Sequence, residues 1–253
     1  MRVVELVFSP TGGTEKVSRA FCSALSQDVH TIDLTDMTMD FETVSMNADD
    51  LCVIAVPSYG GRVPAPAVER IARMNGNQAK AVLLVVYGNR EIDDTLVELQ
   101  DTAVAAGFVP MVGISAVAEH SIVRQFGAGR PDAADIAELE QFAADVRNAM
   151  KNPQSGTLLL PGNHPYKEYN GVPAKPVASE ACAGCGLCAI KCPVGAISKE
   201  NPAETDNAKC ISCLRCIAIC PKQARQIPPM VMAALKQKLE PVCTGRKENK
   251  LYL

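Results

Sequence analysis

Residues 182–193 read CAGCGLCAIKCP and residues 210–221 read CISCLRCIAICP, two copies of one pattern, CxxCxxCxxxCP, at a constant offset of 28 residues. Two-residue gaps let one loop present three consecutive sulfurs to three corners of a small cube, and soft thiolates are the ligands that iron–sulfur clusters take. The spacing predicts two [4Fe-4S] clusters with exchanged fourth ligands. The first would use Cys182, Cys185, Cys188 and Cys220, and the second Cys210, Cys213, Cys216 and Cys192. Pro193 and Pro221 fix the backbone where the chain turns away from each cluster. The rival reading is a four-thiolate zinc site from Cys182, Cys185, Cys210 and Cys213, which strands four cysteines and both prolines. A disulfide framework fits less well: there are 11 cysteines, an odd number, in 253 residues, and no secretory-signal pattern.

On these residues, 180–227 resembles a bacterial two-cluster ferredoxin domain. The copies diverge where Val194-Gly195-Ala196-Ile197 becomes Lys222-Gln223-Ala224-Arg225, which puts a positive charge near one cluster. Leu187, Ile190, Ile211, Leu214 and Ile217, between the ligands, are expected to keep water from the sulfurs. Lys191, Arg215 and Lys222 read as solvated or partner-facing charges.

Charge divides the chain. Residues 1–150 hold 11 Lys+Arg against 21 Asp+Glu, and residues 151–253 hold 14 against 7, so a balance of −10 is followed by one of +7. A basic tail suggests nucleic acid. Two anionic clusters would cancel much of that charge, which leaves enough to steer an acidic redox partner or to dock on the acidic first half. No nucleic-acid partner is expected. The longest apolar runs, such as Ala81–Val86, are too short to span a bilayer, so a cytoplasmic location is expected.

The first half opens with an apolar run, Val3 to Phe8, then Ser9-Pro10-Thr11-Gly12-Gly13-Thr14, then helical spacing from Glu15 to Leu25. Further strands are predicted at Val29–Leu34, Leu51–Pro57, Lys80–Tyr87 and Met111–Val117, with helices at Ala65–Met74, Asp93–Ala106 and Asp132–Met150. This alternation predicts an α/β fold with a doubly wound, five-stranded parallel sheet, whose ligands sit beyond the carboxyl ends of the strands. A hydroxyl- and glycine-rich turn at a helix N-terminus suits a phosphate dianion. Neither GxxxxGK[ST] nor GxGxxG occurs, which disfavours nucleoside triphosphate and Rossmann dinucleotide sites.

Ser9-x-Thr11-Gly12-x-Thr14 is similar to the phosphate loop of flavodoxins, and Pro57-Ser58-Tyr59-Gly60-Gly61 resembles the loop that holds one face of their isoalloxazine. The resemblance implies FMN, with Ser9, Thr11, Gly12, Gly13 and Thr14 on the phosphate and Tyr59 against the ring. Tyr87-Gly88-Asn89-Arg90 would lie at the pyrimidine edge, with Arg90 stabilising an anionic reduced flavin or simply pairing with Asp93 or Asp94. With no tryptophan in the chain, one flavin face is left open. His120 is the candidate proton donor, against the alternative of a hydrogen-bonded loop histidine. Cys22 and Cys52 read as core residues.

The expected organisation is a flavodoxin-like FMN domain at 1–151, a connector at 152–179, the 2[4Fe-4S] domain at 180–227, and a helix with a polar tail at 228–253. Within the connector, Pro161 to Tyr166 is expected to pack near the flavin. As a whole the chain resembles the fused flavodoxin–ferredoxin proteins of anaerobes. That resemblance implies an electron-transfer flavoprotein exchanging single electrons with a redox partner protein, either a ferredoxin-like donor or an acceptor reductase. The alternative is a reductase of a quinone, enone or nitro compound, with His120, Tyr87 or Tyr166 supplying a proton. A redox sensor is the third class.

Overall fold

The computed structural model describes residues 2–151 and 158–253. The first half alternates as predicted: β1 (Val3–Val7), α1 (Gly13–Leu25), β2 (Val29–Asp33), β3 (Leu51–Pro57), α2 (Ala65–Ala72), β4 (Lys80–Tyr87), α3 (Thr95–Ala105), β5 (Val109–Val117) and α4 (Ala133–Lys151). The five strands are parallel, in the order β2-β1-β3-β4-β5, the flavodoxin-like doubly wound order.

Central strands covered on both faces read as continuous apolar runs, and β3 and β4 are buried along almost their whole length. On one face Leu6, Phe8, Ile54 and Leu83 pack with Ile71, Leu96 and Leu99 of α2 and α3. On the other, Val7, Val53 and Leu84 meet Val17 and Phe21 of α1 and Leu139 of α4. Each fully buried side chain of this kind contributes about 1.5–3 kcal/mol. Cys22 and Cys52 lie in these cores, and burial pushes both thiols up to about 12.

The second half is built on the repeat. β6 (Val177–Ala178) pairs antiparallel with β7 (Arg225–Gln226), and the short helices α5 (Leu187–Ile190) and α6 (Arg215–Ala218) stand 28 residues apart. The same offset relates three left-handed backbone positions, Gly184 and Ser212, Gly186 and Leu214, Gly195 and Gln223. Of the expected connector, residues 152–157 lie outside the described residues. Pro161 to Tyr166 packs on the edge of α3 rather than against the cleft described below. Asn163 donates to Asp94, His164 and Tyr166 engage Asp101, and the Arg62 guanidinium lies 4.8 Å from the Tyr166 ring centroid.

The C-terminus is not a polar tail. After α7 (Pro229–Leu239) the chain returns to the first half, and β8 (Lys250–Tyr252) adds an antiparallel sixth strand to β5. Its anchors are polar, which is why its composition misleads. Buried Asn249 accepts from Val117 N–H at 2.8 Å and donates to Asp135 and Glu138 at 3.1 and 2.6 Å. A buried Arg130–Asp135 pair lies beside it, and Arg130 also donates to the Lys247 carbonyl at 2.6 Å. Among the described residues no helix is long and apolar enough to cross a membrane.

Candidate functional site

The loops leaving the carboxyl ends of β1, β3, β4 and β5 converge on one cleft. Its lining includes Ser9, Thr11, Gly13 and Thr14, then Pro57, Ser58, Tyr59 and Gly60, then Tyr87, Gly88 and Arg90, and finally His120. Gly12 takes φ 87°, the left-handed turn that leads into α1, whose first-turn N–H groups have no partners within the helix. Ser9 Oγ accepts from Glu15 N–H at 2.9 Å and so orients that turn. Hydroxyls and backbone N–H groups at the positive end of a 13-residue helix are chemically suited to an anion.

Three expected contacts are absent from this lining. Gly12 supplies the left-handed turn before α1. Gly61, at φ 92°, turns toward the β4–α3 loop, where a Cβ would fall 2.1 Å from an Asp93 carboxylate oxygen. Asn89 is buried, and its amide donates to the Cys243 and Gly245 carbonyls at 2.7 and 2.9 Å, so it anchors the C-terminal segment instead of facing a ligand. Arg90 lines the cleft but is paired with Asp93, the simpler of its two expected roles.

Of the three expected proton donors, His120 and Tyr87 line the cleft. His120 Nδ1 accepts from Ile122 and Val123 N–H, both at 3.1 Å. Burial, with a smaller contribution from Arg90, lowers its pKa to about 4, so the ring is neutral near pH 7. Tyr87 donates to the Glu248 carbonyl at 3.3 Å, and burial pushes its phenol up to about 12. Tyr166 lies outside the cleft with its hydroxyl on Asp101.

Tyr169 is the aromatic that the sequence reading missed. It lines the cleft, and its ring lies over Gly60, where a Cβ would come within 2.4 Å of it. A tyrosine in a proline- and glycine-rich connector carries no periodicity that would signal its place. Tyr59 sits beside it, its phenol held well above the ordinary value by burial, then by Cys213 and Tyr169.

The eight repeat cysteines divide between two small pockets of nearly equal size. Cys182, Cys185, Cys188 and Cys220 line one, and Cys192, Cys210, Cys213 and Cys216 line the other. The four cysteines of the zinc alternative are thus split between pockets. Among the described residues no group of three or more potential ligands closes on a single metal ion. Backbone N–H groups reach the exchanged sulfurs with the same symmetry, Ala196 to Cys192 and Ala224 to Cys220, each at 3.3 Å. Burial pushes the free thiols of Cys213 and Cys216 up to about 12 and 11, so bare thiolates would be unstable there unless iron supplied positive charge. Four soft donors around each pocket fit a cubane.

Arg215 and Arg225 each line one of these pockets, Arg215 that of Cys210 and Arg225 that of Cys182. Arg215 was expected in solvent. Its side chain is instead 17% exposed, and its guanidinium donates to Thr35 of the first half and lies 3.9 Å from Asp33. The cleft and the Cys210 pocket also share a wall, because Ile211 lines both and Ser212 lines the cleft between ligand positions 210 and 213. From the other side, Leu235, Lys238 and Leu239 of α7 close the cleft.

Residues 162–225 match the family model of the 4Fe-4S dicluster domain. A stretch of 58 residues is 43% identical to one component of the ion-translocating oxidoreductase complex of Methanosarcina acetivorans, a match covering 22% of this chain and 22% of that protein. Among solved structures, a flavodoxin from the domain Archaea aligns with 60% of this chain and 99% of its own at 12% identity and a TM-score of 0.44. The two-electron reduced flavodoxin of Megasphaera elsdenii aligns with 56% of this chain and 98% of its own at 19% identity and a TM-score of 0.38. The strand order, rather than these likenesses, fixes the fold. The chain joins a flavodoxin-like α/β fold to a 4Fe-4S dicluster domain.

Proposed function

We propose that this chain is an electron-transfer iron–sulfur flavoprotein, with a distal cluster held by Cys182, Cys185, Cys188 and Cys220, a proximal cluster held by Cys210, Cys213, Cys216 and Cys192, and FMN in the cleft. Bound there, the clusters would carry single electrons and the flavin up to two, so the chain would interconvert the two kinds of traffic.

Each residue has a part in that arrangement. The hydroxyls of Ser9, Thr11 and Thr14, with the start of α1, would hold the phosphate. Tyr59 and Tyr169 would bound the ring system and exclude water from it. Cys185 is exposed, so a partner protein can approach the distal pocket, whereas Cys213 is buried against the cleft side. The observation that carries the proposal is the shared wall at Ile211 and Ser212, which puts the proximal pocket directly beside the cleft. The reductase alternative has less support, because Tyr166 lies outside the cleft and the Tyr87 hydroxyl is bonded to the Glu248 carbonyl, which leaves His120 as its one candidate in the lining.

Anaerobic purification with iron, sulfide and flavin analysis tests the proposal. It predicts about eight irons, from two cubanes of four, and one FMN per chain. A colourless protein that binds zinc, or a flavin that reduced ferredoxin fails to bleach, would overturn it.

A further inference from the structure

Two buried side-chain nitrogens lack a hydrogen-bond partner among the described residues, Nε of Arg215 and Nε of Arg225. Each arginine lines one thiolate pocket, so the lining of each pocket includes one arginine with an unmet donor. The repeat sharpens this. At the 28-residue offset, Arg215 stands where the first copy has Leu187, and Arg225 where it has Ile197. Leu187 and Arg225 line the distal pocket, and Ile197 and Arg215 line the proximal one. At these two repeat positions each pocket therefore has one aliphatic side chain and one guanidinium, and Lys222 adds a second cation to the lining of the distal pocket.

Arg225 is 3% exposed. Its terminal nitrogens donate to Thr205 Oγ1 at 2.9 Å and to the carbonyls of Pro202 at 2.8 Å and of Ala203 and Glu204 at 3.3 Å. These acceptors hold the guanidinium in place, and none of them carries the negative charge that would balance it. A buried cation needs a counter-ion, and a buried N–H needs an acceptor. Arg215 differs in having Asp33 at 3.9 Å to offset part of its charge.

We propose that the missing partner of each arginine is the cluster in its pocket: each Nε–H donates to a cluster sulfur, and each guanidinium raises that cluster's reduction potential. This rests on the dicluster reading above. One-electron reduction takes a four-thiolate cluster from a dianion to a trianion, and a fixed cation favours the trianion. Arg225, with no carboxylate beside it, shifts its cluster further than Arg215 does.

The test is an EPR-monitored potentiometric titration of iron-loaded holoprotein, with iron counted in every preparation. In Arg225→Met, one midpoint falls by about 59 mV, equivalent to a tenfold weaker one-electron reduction. In Arg215→Met the other midpoint falls, by less. Arg225→Lys keeps the charge without the Nε donor and gives an intermediate shift. Should the Met variant fail to retain iron, the Lys variant carries the test, and an unmoved midpoint there overturns the proposal. Unmoved midpoints in fully loaded Met variants overturn it too, while leaving the two clusters in place. A wild-type protein without about eight irons would instead defeat the dicluster reading itself.

Discussion

The two copies of the cysteine repeat share a backbone and differ in what surrounds them. In the first, Cys185 is exposed and Ile190 stands 59% exposed. In the second, the equivalent Cys213 is 8% exposed, and Leu214 packs with Ile227, Leu235 and Cys243 in a core of its own. The left-handed turns of the first copy use glycine, and the same turns in the second are held by Ser212, Leu214 and Gln223. Ser212 and Leu214 are buried, so packing holds them in this conformation, whereas Gln223 adopts it at the surface. Cysteine spacing thus sets the shape of both loops, and neighbouring side chains decide which pocket meets solvent and which lies beside the cleft.

Substituting one equivalent ligand in each copy is the severest test of that asymmetry. In Cys213→Ser, the rate at which reduced ferredoxin bleaches the flavin should fall by at least about 100-fold, the upper end of the loss seen when even an outer-shell partner is removed. Cys185→Ser should impair reduction by the partner protein while a small reductant such as dithionite still reduces the flavin. A Cys213→Ser protein whose flavin reduced ferredoxin still bleaches at the wild-type rate, measured by anaerobic stopped flow, would erase the distinction between the copies.

The burial of the second copy depends on the C-terminal segment, since Cys243 completes its core and Asn249 secures the strand that follows. Asn249→Ala strips the Val117 N–H of its acceptor and should cost about 2 kcal/mol in denaturant unfolding of the holoprotein. A change within about 0.5 kcal/mol would show that β8 is dispensable. Smaller effects are expected at the left-handed turns. Gly184, at φ 65° with open space around its Cβ position, should lose about 1 kcal/mol on change to alanine from backbone strain alone. Ser212→Gly relieves similar strain and forfeits the 3.1 Å bond from Ser212 Oγ to the Val172 carbonyl, so it should be nearly neutral.

The smallest expected effect concerns pH. Burial depresses the pKa of His120 to about 4, so the ring stays neutral above that value, and protonating it on acidification works against the fold. Flavin reduction between about pH 5.5 and 8 should therefore show no inflection from this residue. An inflection near the ordinary histidine value that disappears in His120→Gln would restore His120 as a proton donor.

Sequence made some of this plain and hid the rest for physical reasons. β3 and β4 match their apolar runs because a strand covered on both faces needs such a run. The grouping of the eight cysteines around two pockets follows the repeat, because the pattern occurs twice. Arg215 looked like a solvated charge because nothing local to its copy announces that Thr35 and Asp33 of the distant first half cover it. Asn89 sits in the expected loop, yet its partners lie more than 150 residues away. β8 spans three residues, too few for alternation to show. These misses share one cause: each residue's role is set by a contact between the two halves of the chain.

That contact is also where the account can be tested most directly. With the protein reduced so that the proximal cluster and the flavin each hold one unpaired electron, EPR should show their signals split or broadened by mutual magnetic coupling, and Cys213→Ser should abolish the coupling. Two sharp, independent signals from a fully loaded protein would place the flavin too far from the nearest iron and contradict the shared wall at Ile211 and Ser212.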